Sequence, residues 1–312
     1  MKTKEDLLIR ASELYYQQNL NQNEIAKILN VSRPTVSRLL EEARQSNIIE
    51  IIIHSAIKKN SDLANKLRIK FHLKDAIVIA GDYPYYEALQ KCGIAAAHFL
   101  NGILDNNISL GITWGIPMNY FADALSSQKY YNINVVQMVG CLGSGNPKLD
   151  GLELAITISK KLNGTYSNIY APVFIDNRAV YEYLIAEPQI ALTLKKALMT
   201  DIVITGIGSL YDEESTLQKA GYLSENDRQD LLAKGGIGHL LSRVFDKNGN
   251  ELIQKNKYVI SPPLSCLKTP RWVICMAVHE KKALPLLTAM KAKYINTIIV
   301  DEKLAISLLN NS

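Results

Sequence analysis

Residues 22–40 carry two short helical patterns on either side of a tight turn, and this arrangement limits the possible fold more than any other part of the chain. Asn30 stands in the turn, where few residues other than glycine and asparagine tolerate a left-handed backbone. Ser32 is a good N-cap for the second helix, and Pro34 fits a first helical turn. The apolar positions expected to form the shared core follow helical spacing: Ile25, Ala26, Leu29, Val31, Val36, Leu39 and Leu40. The segment therefore predicts a helix-turn-helix.

The outer face of the second predicted helix is polar and basic. Such a face suits the major groove of DNA, where Arg33 or Arg38 could pair with the O6 and N7 atoms of guanine. The residues expected to contact DNA, either at base edges or at phosphates, are Lys27, Ser32, Arg33, Pro34, Thr35, Ser37, Arg38 and Arg44. The alternative is an ordinary helical hairpin with solvated arginines. The combination of core offsets and outer face favours DNA binding.

The charge of the chain does not identify a nucleic-acid-binding protein by itself. It has 35 basic and 30 acidic side chains, a formal net charge of +5. Because the balance is this mild, we expect tight DNA binding to require more than one copy of the predicted helix-turn-helix.

The pattern of apolar residues changes after the predicted strand at 48–54, and we place a domain boundary there. Residues 1–57 are predicted to form the helix-turn-helix domain and residues 58–312 an effector-binding and oligomerisation domain. In the second domain, β-branched runs at 76–80, 108–112, 135–139, 201–205, 272–278 and 296–300 alternate with helical patterns. This alternation predicts an α/β fold with a doubly wound, mainly parallel sheet.

Several classes of protein do not fit the sequence. The four cysteines and five histidines show no metal-ligand spacing, so neither a metal site nor a disulfide framework is expected. No signal peptide or membrane-spanning run is apparent, which predicts a cytoplasmic protein. Neither GxGxxG nor GxxxxGK[ST] occurs, and we expect no cofactor. No base is tied by spacing to a nucleophile, so no catalytic residue is predicted.

Three glycine-containing loops follow predicted strands, at 111–115, at 139–147 (which includes Gly140) and at 205–209. In an open α/β sheet, ligands bind beyond the carboxyl ends of the strands, and backbone N–H groups there can approach an oxygen-rich ligand. The glycines could instead simply turn the chain. His239 follows three glycines and could lie at the same pocket or serve the structure only. Lys293 could reach a ligand oxyanion or remain solvated.

The order of these motifs resembles a known family. The segment SELYYQQNLNQNEIAKILNVSRPTVSRLLEEAR, followed by GITWG, VVQMVG, TGIGS, SRVFDKNG and KYINTIIVDE, is similar to the SorC/DeoR-type sugar-responsive bacterial transcriptional regulators. The resemblance covers about residues 5–310. It implies a helix-turn-helix joined to a domain like the sugar-phosphate isomerases and glucosamine-phosphate deaminases. It also implies a homo-oligomer, a tetramer or dimer of dimers, whose DNA binding responds to a sugar or phosphosugar.

The resemblance also implies an effector site. The residues that match the family positions are Gly111, Thr113, Trp114, Gly115, Gln137, Gly206, Gly208 and Lys293. The chain differs from the family at Ile116-Pro117, where many members have hydroxyl side chains, and at His239, where many have an aspartate. A histidine can donate a hydrogen bond as well as accept one.

The sequence thus predicts a transcriptional regulator of a carbohydrate operon, a repressor among the possibilities, with operator DNA and a sugar or phosphosugar as partners. Two alternatives stay open. One is a sugar-phosphate isomerase or deaminase with a DNA-binding appendage, although fold alone does not imply that activity. The other is a constitutive DNA-binding protein whose large domain only forms oligomers.

Overall fold

A computed structural model describes residues 4–49, 57–127, 132–141, 151–211, 216–219, 221–254 and 257–311 of the 312-residue chain. The chain divides into two compact units, Met1–Ala56 and Ile57–Ser312. Among the described helices, none is both long and apolar enough to cross a membrane.

The described part of the first unit is helical, as the sequence predicts. Its elements are α1 (Lys4–Ser12), a π-helical turn (Glu13–Gln17), α2 (Gln22–Leu29) and α3 (Arg33–Gln45). Both later helices have side-chain caps. Asn21 and Glu24 form a reciprocal capping box at α2, and the Ser32 hydroxyl accepts the Thr35 amide N–H at 3.3 Å at the start of α3. These caps fix where each helix begins.

The turn between α2 and α3 confirms the predicted helix-turn-helix. Asn30 is left-handed, with φ 54° and ψ 49°, and ends α2. Ile25 and Val36 are fully buried between the helices, and Leu39 and Leu40 extend the same core. Helix α1 packs on the same core, on the inner side of α3. The outer face of α3 is exposed to solvent.

The second unit is built on a seven-stranded sheet in the order β1-β12-β11-β6-β2-β3-β4, with every neighbouring pair parallel. Its strands are β1 (Asp75–Ile79), β2 (Ser109–Ile112), β3 (Asn134–Gln137), β4 (Thr165–Ser167), β6 (Ile202–Thr205), β11 (Trp272–Ala277) and β12 (Thr297–Asp301). Six of them contain the predicted runs. The edge strand β4 has only three residues, and two of its side chains are exposed. The sequence therefore has no apolar pattern there that would predict a strand.

Helices cover both faces of this sheet. The described helices of this unit are α4 (Ser61–Phe71), α5 (Tyr85–Ile103), α6 (Ile116–Ala124), α7 (Gly151–Lys161), α8 (Arg178–Ala186), α9 (Pro188–Ala197), α10 (Thr216–Lys219), α11 (Glu225–Ala233), α12 (Ala283–Lys291) and α13 (Glu302–Asn310). Two separate apolar cores result, one joining the sheet to α5, α6 and α7 and the other joining it to α4, α12 and α13. The predicted fold class, a helix-turn-helix with a doubly wound, mainly parallel α/β unit, is confirmed.

Two small antiparallel sheets accompany the main one. The first consists of β7 (Gly208–Ser209), β8 (Gly236–Leu240) and β9 (Arg243–Asp246), and the second of β5 (Phe174–Ile175) and β10 (Tyr258–Val259). Short 3₁₀ turns lie at Leu264–Lys268 and Glu280–Lys282. The predicted strand at 48–54 falls almost wholly outside the described residues, since 50–56 are not among them.

The strand order reverses direction at one place. After β2 the chain adds β3 and then β4 on one side, and it returns to place β6, β11 and β12 on the other side of β2. The carboxyl ends of β2 and β6 therefore flank a switch point, where crevices form in sheets of this kind.

Candidate functional site

A pocket opens at this switch point. Its described walls come from the loops after β2 and β6, from the β8–β9 hairpin, and from segments that follow β1 and β11. It holds about 650 Å³ of space when its open mouth is included. The lining residues are Tyr85, Thr113, Trp114, Gly115, Ile116, Pro117, Val139, Thr205, Gly206, Ile207, Gly208, His239, Leu240, Leu241, Ser242 and Lys282.

The loop after β2 supplies one wall through Thr113, Trp114 and Gly115. The Thr113 hydroxyl donates to the Thr205 hydroxyl at 3.3 Å, which links the ends of β2 and β6. The Trp114 indole N–H donates to the Gly140 carbonyl at 3.1 Å and so orients the ring. Gly115 has φ 120° and ψ 169°, a conformation in which a side chain is strained, and it directly precedes α6.

Gly208 allows the opposite wall to pack closely. It pairs with His239 in the antiparallel ladder between β7 and β8, and the imidazole lies where a side chain at 208 would have to go. Only glycine therefore fits at 208 with His239 in place. Gly206 leaves more room, because the nearest atom to an added Cβ would be 3.6 Å away on Pro117.

His239 presents a neutral imidazole beside the pocket. Its Nε2 atom is buried and has no hydrogen-bond partner among the described residues, although part of the side chain is exposed. Burial, followed by the nearby ammonium of Lys282, lowers the pKa of His239 to about 3. A polar atom of this kind is costly to leave unpaired, so a ligand hydroxyl that reached it would be held.

Lys282 is a charged pocket residue that the sequence did not single out. It ends the 3₁₀ turn Glu280–Lys282, just beyond the carboxyl end of β11, and lines the pocket. Among the described lining residues it is the one cation, and none of them is a carboxylate. This wall therefore favours a ligand that carries negative charge.

The hairpin turn in the pocket wall is also unusual. Leu241 and Ser242 join β8 to β9, and both have positive φ, 49° and 60°. A two-residue turn of that shape ordinarily takes asparagine or glycine. Arg243 donates hydrogen bonds to the carbonyls of Ser261 and Pro262 at 2.6 and 2.8 Å, which anchors the start of β9. Strain of this sort concentrates at binding sites, where the surrounding structure holds it.

Six of the ten predicted effector residues line this pocket: Thr113, Trp114, Gly115, Gly206, Gly208 and His239. Gly111 lies within β2 and is packed against Met138, so it supports the wall from behind. Gly140 contributes through the carbonyl that accepts from Trp114. The rest of the predicted loop at 139–147 falls outside the described residues from 142 onward.

Gln137 and Lys293 do not reach the pocket. Gln137 is fully buried at the end of β3, where its amide donates to the Val139 carbonyl at 2.7 Å and accepts the Ile169 N–H at 3.1 Å. Lys293 is exposed and left-handed, with φ 60°, and lies before the amino end of β12. Since parallel strands present their carboxyl ends at one edge, this loop belongs to the opposite edge from the pocket.

The predicted DNA-contact residues of the first unit are mostly open to solvent. Thr35 is half-buried, with its hydroxyl 2.8 Å from that of Ser32. Arg44 donates two hydrogen bonds to the Tyr16 hydroxyl, from Nε at 3.2 Å and from Nη2 at 2.8 Å. The exposed members are Lys27, Ser32, Arg33, Pro34, Ser37, Arg38 and Arg44. The surface is thus polar, basic and open to a macromolecular partner.

The described residues contain no group of histidines, cysteines and carboxylates that could hold a metal ion.

Each of the two units matches a known protein family. Residues 55–310 match the family model of a sugar-binding domain, and residues 13–46 match that of sigma-70 region 4. Transcriptional regulator LsrR of Escherichia coli is 30% identical over 314 residues, covering 98% of this chain and 95% of its own. The deoxyribonucleoside regulator of Bacillus subtilis is 27% identical over 312 residues, covering 99% of each chain.

A solved structure agrees over the whole length. The full-length sorbitol operon regulator SorC of Klebsiella pneumoniae superposes with a TM-score of 0.76 at 25% identity, covering 99% of this chain and 100% of that one.

Proposed function

Because the chain belongs to the SorC family of sugar-binding transcriptional regulators, we propose that it controls a carbohydrate operon by binding operator DNA and a sugar or sugar phosphate. In this proposal residues 1–57 bind DNA, and residues 58–312 bind the effector and form the oligomer. The observation that carries it is the pocket at the switch point, present in a chain that also exposes a helix-turn-helix.

The pocket chemistry favours a phosphorylated effector over a neutral sugar. Lys282 would hold the anionic end, and the first turn of α6 adds a backbone N–H from Ile116 but none from Pro117. The ring hydroxyls of the ligand would meet Nε2 of His239 and the hydroxyls of Thr113 and Thr205. A ligand with one anionic group and several hydroxyls would satisfy each of these groups.

DNA recognition in this proposal centres on the exposed outer face of α3. Arg38 lies on that face and would read a base in the major groove, while Arg33 and Lys27 would contact phosphates. Recognition helices in two copies would meet successive turns of the major groove about 34 Å apart, which requires a homo-oligomer. We propose a tetramer or a dimer of dimers, acting in the cytoplasm where the chromosome is accessible.

We propose no catalytic activity for this chain. The relatives compared above are named as regulators, and the described lining residues of the pocket include no carboxylate. The Nε2 atom of His239 has no hydrogen-bond partner among the described residues that would orient it as a general base.

A gel-shift titration tests the function directly. The full chain is titrated against DNA from upstream of its own coding sequence, with and without a panel of sugars and sugar phosphates. We expect one compound to change the affinity, by a factor that corresponds to about 1–3 kcal/mol of coupling. Binding that no compound alters would contradict the effector half of the proposal, and absence of specific binding would contradict the DNA half.

Two lysine variants make the test specific to the pocket. Lys282→Met should weaken the effector response while leaving DNA affinity unchanged, because the pocket loses its cation. Lys293→Met removes a cation from the opposite edge of the sheet and should respond as the wild type does. A normal response from Lys282→Met together with a lost response from Lys293→Met would place the effector elsewhere.

A further inference from the structure

Tyr16 and Arg44 form a fixed pair on the surface of the first unit. Tyr16 lies in the π-helical turn between α1 and α2 and is half-buried, whereas Arg44 is exposed near the end of α3. The two donors of Arg44, Nε–H and one Nη2–H, converge on the phenolic oxygen at 3.2 and 2.8 Å. The guanidinium is thereby held in one orientation although it is exposed to solvent.

This geometry determines what the pair can still offer. A phenolic oxygen has two lone pairs and one O–H, and both lone pairs here accept from Arg44. The Tyr16 O–H is therefore left to donate, and three of the five guanidinium N–H donors remain. Neither side chain has another hydrogen bond within the part of the chain that the structure describes. The pair is a cluster of converging donors that carries one positive charge.

The surroundings suit a nucleic-acid backbone. Tyr16 also borders an open cleft whose described lining includes Arg33, Asn21 and Gln22 and contains no acidic residue. Arg33 and Arg44 are eleven positions apart on α3, which returns to nearly the same side of the helix at 3.6 residues per turn. The one carboxylate whose charge bears on Arg44 is that of Glu41, on the same helix. The two arginines therefore follow one flank of the recognition helix.

We propose that Tyr16 and Arg44 together form a clamp for a single phosphate group of the DNA backbone. The proposal rests on the DNA-binding function proposed above. Tyr16 is a positioning residue for Arg44 and adds a donor of its own, as tyrosine hydroxyls do at phosphates. Because the guanidinium is already oriented, it loses less side-chain freedom when it binds.

The test measures DNA affinity of the full chain over a series of salt concentrations. The probe is a labelled duplex of arbitrary sequence about 30 base pairs long, roughly three helical turns, because phosphate contacts do not depend on sequence. Fluorescence anisotropy gives the dissociation constant at each salt concentration for the wild type, Tyr16→Phe, Arg44→Ala and the double variant. Tyr15→Phe is the matched control, since Tyr15 packs against Tyr16 edge to face and has no hydroxyl hydrogen bond among the described residues.

The clamp predicts a specific pattern. Arg44→Ala should lower the slope of log affinity against log salt by about 1, the effect of one lost phosphate contact. Tyr16→Phe should weaken binding about 3- to 10-fold, since the guanidinium loses its orientation and the clamp loses a donor. The double variant should lose less affinity than the sum of the two single losses, because the orientation that Tyr16 gives is already lost with Arg44. Arg44→Lys should keep the salt slope but not the full affinity.

Three results would overturn the clamp: wild-type affinity for Tyr16→Phe, equal losses for Tyr15→Phe and Tyr16→Phe, or losses that add in the double variant. Arg44→Ala alters an exposed side chain, so its salt slope tests the clamp even if Tyr16→Phe destabilises the unit. A wild-type chain that bound no DNA would instead refute the proposed function, and the two failures are therefore distinguishable.

Discussion

The neutral imidazole of His239 makes the stability of the α/β unit depend on pH in a defined direction. Its pKa falls from 6.5 to about 3 on folding, because burial disfavours the charged form and the Lys282 ammonium lies nearby. Protonation therefore favours the unfolded chain. The full contribution of His239 to stability is present above pH 6.5 and is lost as the pH falls through the window from 6.5 to about 3.

The size of the effect follows from that difference. Below pH 6.5 each unit of pH removes up to about 1.4 kcal/mol from the free energy of unfolding. Between pH 7 and pH 5 the unfolded imidazole, with its pKa of 6.5, goes from about one-quarter protonated to almost fully protonated, and the folded one takes up almost no proton, which amounts to about 2 kcal/mol. Glu225, whose pKa is lowered to about 2 mainly by the hydrogen bond from Arg228, loses its contribution at lower pH, below 4.5.

Urea unfolding of the wild type and of His239→Gln at pH 7 and at pH 5 measures this difference. Both tryptophans of the chain, Trp114 and Trp272, lie in the α/β unit, so their fluorescence reports the unfolding of that unit alone. Glutamine stays uncharged across the range, and all other titrating groups are common to both chains. The wild type should therefore lose about 2 kcal/mol more than the variant. Equal losses would refute the reasoning, because they would mean that the folded imidazole titrates as it does in the unfolded chain.

Further predictions concern single contacts in each unit. Gly208→Ala should destabilise the α/β unit by about 1–3 kcal/mol, measured by tryptophan fluorescence, because the new methyl group meets the His239 imidazole; an unchanged urea midpoint would contradict this packing. Arg38→Ala should remove about 1–3 kcal/mol of discrimination between operator and unrelated DNA in gel shifts, whereas loss of affinity for both equally would make Arg38 a phosphate contact. Ser32→Ala should cost about 1 kcal/mol at the start of α3 and speed amide exchange there, with Ser37→Ala on the exposed face as the control. Equal exchange in the two serine variants would show that the cap contributes nothing.

The helix-turn-helix could be predicted because its determinants are local. Asn30 must end one helix, Ser32 must cap the next, and Ile25 and Val36 must face each other, and these four residues lie within twelve neighbouring positions. Local sequence also predicts six of the seven strands of the main sheet, because strands buried on both faces are continuous apolar runs. These strands are β1, β2, β3, β6, β11 and β12. The short β4 has no such signal, because Thr165 and Tyr166 are exposed.

The pocket was only partly predictable, because it is assembled from segments far apart in the chain. Glycines after strands point to Gly115, Gly206 and Gly208, all of which line the pocket, since each follows a strand whose carboxyl end is implied by the parallel arrangement. Gln137 also lies at a strand end, yet its side chain is used within the protein. Strand ends therefore locate the edge of a site, but the sequence does not say which polar side chains there remain available to a ligand.

The two lysines show where sequence reasoning needed one more physical step. Lys293 precedes a predicted strand, and residues before a parallel strand lie at the edge opposite to the crevice at the carboxyl ends, so its position in the sequence already argued against a place in that crevice. Lys282 follows β11 and so lies at the edge of the crevice, but within the pair Lys281-Lys282 it looks like an ordinary solvated helix start. What distinguishes it is the packing of β11 beside β6, which brings the 3₁₀ turn to the pocket that β6 helps to form. That pairing joins residues about seventy positions apart, and no local pattern records it. Strand order, rather than residue type, therefore decides which cation lines the pocket.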